Sequence, residues 1–324
     1  AQSERLVPES KGDYFLPIYG PQVALLFSPL ARLSYGWAAL VWISASILLY
    51  ALCSRTVWKT CSSLAPHGGM IALLALAYPA FFNLVAHGQT SALALACFTA
   101  AGLAFLKGKP LYAGLAIGML IYKPQLGLAA AFVFVLAREW KVVAGALLAA
   151  AAQIALAWAY FGAAVMENYC QALRRLGESA SVLEPKLYQM HSLRSFWMLL
   201  LPWEPVARVL YVVTAGMILW WALSAWRSRV PVPLRYAALL LATVLVAPHL
   251  TVYDLVILVP ALLFLGDWAL ANLQHPASPP VRALLYLCYA LPLLGRVAQE
   301  THVQLSVVAL AALAWTMRPA LRPL

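Results

Sequence analysis

Charge is what this chain has least of. Asp, Glu, Lys and Arg make up 10% of its 324 residues, against about 25% in soluble domains. Cysteine offers no metal or redox framework. Cys53, Cys61, Cys97, Cys170 and Cys288 form no C-x-x-C pair, and Cys97 and Cys288 lie inside apolar runs, so all five are expected as free thiols. No Gly-rich phosphate loop, H-E-x-x-H or G-x-S-x-G is present, which removes the motif routes to P-loop, zinc-protease and hydrolase chemistry. An Asp-x-Asp pair is also missing, so nothing supports a nucleotide-sugar held through a metal. No metal and no cofactor is expected. The opening AQSERLVPESKGDYFLP has no initiator Met and no signal-peptide apolar core; the expectation is a chain that begins inside a longer protein.

What the chain has is hydrophobicity: 64% of its residues are apolar and the mean hydropathy is +0.82. This predicts an all-α, polytopic transmembrane bundle forming a single membrane domain over 1–324, with membrane lipids around it. The net charge of +11 does not imply nucleic acid. Most of the excess lies in short loops, and no basic run or aromatic–basic motif occurs.

The stretch Leu111–Ala137, LYAGLAIGMLIYKPQLGLAAAFVFVLA, organises the rest. Its only charge is Lys123, followed by Pro124 and Gln125. One helix through it would put an ammonium near mid-membrane, at a cost of about 2.5–3.5 kcal/mol on insertion scales, and Pro124 would disfavour helix at Lys123. Basic flanks on both sides, Lys107 and Lys109 before and Arg138 and Lys141 after, mark one cytoplasmic face. The chain is therefore expected to enter and return as two short helices, Leu111–Tyr122 and Leu126–Ala137, joined at a Lys-Pro-Gln turn in a protein-lined cavity.

Eleven crossings are expected in all. The others are Ser34–Cys53, Gly69–Ala86, Thr90–Leu106, Val142–Phe161, Pro205–Trp226, Tyr236–Ala247, Val252–Gly266, Ala283–Ala298 and Leu305–Met317. Residues 1–22 read as an outer loop, continued by a re-entrant or interfacial apolar stretch to Arg32. Residues 162–205, the longest polar segment, read as a second outer loop. Inner loops collect Arg and Lys, whereas short outer turns hold only Lys123 and Arg296.

Three polar clusters fall at the outer ends of these spans. Lys123, with Gln125 beside it, reads as a cation held for an anionic ligand; the plainer reading is a snorkelling lysine. In PHLTVYD, Asp254 is a candidate catalytic carboxylate, Tyr253 a pocket residue and His249 a donor to a phosphate oxygen; here the plainer reading is an interfacial tyrosine and an acid favouring its helix dipole. In the third cluster Asn83 and His87 share a helix face and Gln89 follows a flexible Gly88. They read as pocket lining or as simple helix-end capping. His191 and Arg194, in KLYQMHSLRSF, and Tyr19, in YGPQ, complete the candidates.

YGPQVALLFSPLARL, PAFFNLVAHGQTSALALA, LYAGLAIGMLIYKPQLGL with REWK, and APHLTVYDLVILVPAL, in this order, resemble the bacterial mannosyltransferase-like membrane proteins of glycosyltransferase family 87. The resemblance implies a C-type glycosyltransferase architecture without its first helix. It further implies an inverting transfer of a hexose, with mannose first in line, from a polyprenyl-phosphate donor. The acceptor would be a lipid or glycan, on the outer, periplasmic face of the plasma membrane. Two departures stand out. Tyr19-Gly20-Pro21 replaces the usual Tyr-Pro-Pro, and C-type enzymes carry their acid in the first outer loop, after a helix that is expected before Ala1; Asp13 is in that loop but close to YGPQ, and the role is not transferred to it. The competing reading is a transporter or flippase of a lipid-linked anion, since short broken helices around a charge are also a transporter pattern. A scaffold role would leave the buried lysine unexplained. From sequence alone, Lys123→Met is expected to cost little stability.

Overall fold

A computed structural model of the chain describes residues 19–176, 186–318 and 320; Asp13, Glu178 and Glu184 lie outside these. The described residues form sixteen α-helices and no strand. They are α1 (Pro21–Phe27), α2 (Tyr35–Trp58), α3 (Gly68–Leu76), α4 (Pro79–Ala86), α5 (Ser91–Leu106), α6 (Pro110–Gly118), α7 (Leu128–Leu136) and α8 (Trp140–Phe161). Then follow α9 (Ala163–Leu176), α10 (Leu193–Leu200), α11 (Glu204–Arg227), α12 (Val232–Val246), α13 (Val259–Ala271), α14 (Ser278–Ala290), α15 (Gly295–Thr301) and α16 (Leu305–Thr316). Prolines mark many of the starts, at the first or second position of α1, α4, α6, α11, α12, α13 and α14. There the missing N–H loses no helical bond.

Four helical segments are long and apolar enough to cross a membrane: α2, α8, α11, and α13 with the 3-10 turn that leads into it. Two bent pairs raise the number to six: α3–α4, bent by 48°, and α14–α15, bent by 81°. Five shorter apolar helices make up the rest of the eleven expected segments. Two expected spans, Gly69–Ala86 and Ala283–Ala298, are therefore broken. At the first break Pro79 supplies no N–H, and two carbonyls just before it find hydroxyl donors elsewhere. Tyr50 donates to Ala75 O at 2.8 Å and Tyr289 to Leu74 O at 2.9 Å. The expected outer segment 162–205 is also more ordered than a loop, since it contains α9 and α10. Met166, Tyr169 and Leu173 recur on α9 at helical spacing, the pattern of a surface-lying amphipathic helix.

The core is built around α12. Every residue from Tyr236 to Val246 is buried, as expected for a helix apolar all round. The in-and-out path around Lys123 is also present. On α6, Gly114 and Gly118 meet the backbone of α8; a Cβ on either would overlap the carbonyl oxygen of Val142 or Ala146, and one on Gly145 that of Leu111. Small residues four apart thus let two backbones touch. The contacts run in the same order along both helices, so α6 and α8 are parallel and α7 between them reverses.

Candidate functional site

Three turns that are distant in sequence meet at one place. Lys123 sits between two 3-10 turns, Met119–Tyr122 and Pro124–Gly127, with φ −130° and ψ 67°, the non-helical backbone that a following proline favours. Asp254 lies in the 3-10 turn Val252–Leu258, third after its N-cap Thr251. Ser91 opens α5 directly after the His-Gly-Gln-Thr turn, which closes through Gly88 at φ 56°, a conformation costly for any residue with a side chain.

Lys123 Nζ lies 2.8 Å from Asp254 Oδ1 and donates to Ser91 Oγ at 3.1 Å. Ser91 in turn donates to the same Oδ1 at 2.5 Å. The Thr251 N–H and hydroxyl both reach Asp254 Oδ2 at 3.3 Å. Lys123 is 4% exposed and Asp254 2%, so the two charges compensate each other out of water. The Tyr253 ring stands 5.5 Å from Nζ, within cation–π range. An ammonium has three N–H groups, and the carboxylate and the serine account for two.

Around this centre, Tyr122 donates to Thr90 O at 3.0 Å, and the Tyr19 hydroxyl lies 3.3 Å from Thr90 Oγ1. The His87 ring faces Tyr253 with centroids 5.9 Å apart. Other candidates stand further off. Asn83 donates to Pro79 O and accepts, through its own carbonyl, the contact from His87 Nδ1, which is helix-end bonding within α4. Gln89 and Gln125 are half-buried at the rims of their turns. His249 is half-buried beside Pro248, whose carbonyl accepts from Arg194 at 3.0 Å. His191 is buried and lies 2.7 Å from Ser306 Oγ; burial pushes its imidazole down to about 4, so it is neutral at pH 7. Among the described residues no three His, Cys, Asp or Glu side chains gather as a metal site.

The sequence model of glycosyltransferase family 87 matches residues 17–248. That is well over half the chain. The protein belongs to glycosyltransferase family 87. Of the readings left open by its residues, the family-87 chain takes that of a multi-pass membrane glycosyltransferase. Neither the curated proteins nor the solved structures compared gave a match. The family-87 match includes Tyr19, Asn83, His87, Gln89, Lys123, Gln125, His191 and Arg194, and ends one residue before His249. Tyr253 and Asp254 lie past it.

Sequence reading passed over Ser91, Thr90, Tyr122 and Thr251. The one usable signal was polarity at the very start of an apolar span, Thr90-Ser91, which capping explains equally well.

Proposed function

We propose that this family-87 enzyme moves a hexose, mannose in the first instance, from a polyprenyl-phosphate donor to a lipid or glycan acceptor, by inversion, on the outer face of the plasma membrane. The observation that supports this reading is the buried Lys123, held charged where the three polar turns converge. A donor of this class is a phosphodiester with one negative charge, and its leaving phosphate gains most of a second. A fixed cation that loses no energy to reorganisation stabilises that gain. The third Lys123 N–H, with His249 as a second donor, would meet the phosphate.

Asp254 enters this proposal as the residue that holds Lys123 and not as the base. Both of its oxygens are engaged, by Lys123 and Ser91 on one and by Thr251 on the other. Such a carboxylate is poorly placed to take a proton from an acceptor hydroxyl. The prenyl tail would lie in the groove of about 290 Å³ lined by Tyr50, Leu74, Tyr78, Leu262, Leu285 and Tyr289. Tyr78, buried in its wall, donates to Leu255 O, next to Asp254, at 3.1 Å.

The test is ligand-dependent melting of the full-length protein in detergent. A polyprenyl phosphate at 100 times its Kd raises stability by about 2.7 kcal/mol, and Lys123→Met abolishes the rise. Stabilisation by a nucleotide-sugar alone would overturn the donor assignment.

A further inference from the structure

The residues just before α10 form a strap against the site. Met190 pairs with Thr251 in an isolated antiparallel bridge, and the His191 N–H donates to Leu250 O at 2.9 Å. From the other side the start of α16 grips the same strap. Gln304 Nε2 donates to Tyr188 O at 2.8 Å and to Met190 O at 2.7 Å, and Ser306 holds the His191 ring. Gln304 is 2% exposed and occupies the N-cap position of α16, yet its side chain makes no bond to its own helix. Gln is too long to serve as a usual N-cap, where Ser, Thr, Asp and Asn lead. Here both amide hydrogens go to another segment, and that segment runs to Thr251, whose N–H and hydroxyl fix Asp254.

We propose that Gln304 is a positioning residue for glycosyl transfer, acting through the strap on Thr251, through Thr251 on Asp254, and so on the place of the Lys123 ammonium. This rests on the reading in which Lys123 meets the donor phosphate. The plainer role for Gln304 is to satisfy two buried carbonyls, which would affect stability but would leave no energetic link to Thr251.

A double-mutant cycle on turnover separates the two, because residues acting through one chain of contacts lose together and independent residues add. Gln304→Leu, assayed in membranes with the full-length protein, is expected to lower kcat about 10- to 100-fold, the scale of a displacement near 1 Å, with KM for the donor within about twofold. Thr251→Val is expected to do the same, and the double variant to be no worse than Thr251→Val alone. Multiplied losses in the double variant, or unchanged kcat in Gln304→Leu, would overturn the proposal. If Gln304→Leu does not fold, Gln304→Met carries the same test, since it keeps the unbranched length and removes the donors. Lys123→Met is measured alongside. Full turnover there refutes the donor-phosphate reading itself, whereas its loss with an additive Gln304–Thr251 cycle refutes only the positioning role.

Discussion

Replacing Lys123 by Met removes one charge of a pair in which both partners are almost fully buried. The Asp254 carboxylate would keep Ser91 and Thr251 but lose its counter-charge, and breaking a buried pair on one side costs about 3–5 kcal/mol. This replaces the small cost that the sequence alone suggests, because the sequence gives Lys123 no partner. Lys123→Met/Asp254→Asn leaves no charge behind and is expected to return to within about 1 kcal/mol of the parent. Activity should not return with it, because the ammonium is still missing. Unfolding in detergent, followed by denaturant titration of the parent, both single variants and the double, gives the coupling; turnover in membranes gives the function. A Lys123→Met protein as stable as the parent would refute the buried-pair argument. An active double variant would refute the use of the lysine in transfer.

Cys170, exposed on α9, should react with a membrane-impermeant maleimide in intact cells, whereas Ser228→Cys should react only after permeabilisation; labelling both from one side would contradict the topology. Gly114→Ala would force its new methyl into the Val142 carbonyl, and thermal unfolding should show a loss of about 1–3 kcal/mol, with Gly118→Ala similar; no loss would mean that α6 and α8 slide freely. His191 in the folded protein sits at about 4, below its ordinary 6.5. The unfolded chain therefore takes the proton first, and stability is full above about pH 6.5 and falls as pH drops towards 4. Between pH 7.5 and 5 the loss is about 2 kcal/mol, and His191→Gln should flatten that part of the pH–stability curve.

The helical segments were legible because their ends carry proline, glycine or charge, and a largely apolar stretch as long as Ser34–Cys53 has few alternatives; the helix there runs on through Arg55 to Trp58. The Lys-Pro-Gln turn was legible for the same reason: a lone charge and a proline in an apolar stretch leave little choice. Partnership was not legible. Lys123 and Asp254 are 131 positions apart, and nothing local to either names the other. Ser91, a lone hydroxyl at the start of an apolar span, bonds to both. Nor does anything local to Tyr50 or Tyr289 announce that their hydroxyls close carbonyls just before Pro79. Gln304 lies between two expected spans, and its value comes from the Tyr188 and Met190 carbonyls that only the fold brings to it.

The same 131-residue separation has a consequence for biogenesis. At about 5–20 residues per second, Lys123 emerges from the ribosome roughly 7 to 26 s before Asp254 does. For that interval the growing chain holds an ammonium without its counter-charge between two short helices, and leaving the turn near the lipid headgroups keeps that charge solvated. The turn can settle to its final depth once the Val252–Ala271 segment inserts. Insertion of that late segment is thus the event that seals the lysine away from lipid, and a nascent chain stopped before it presents an exposed charge that membrane quality control can detect.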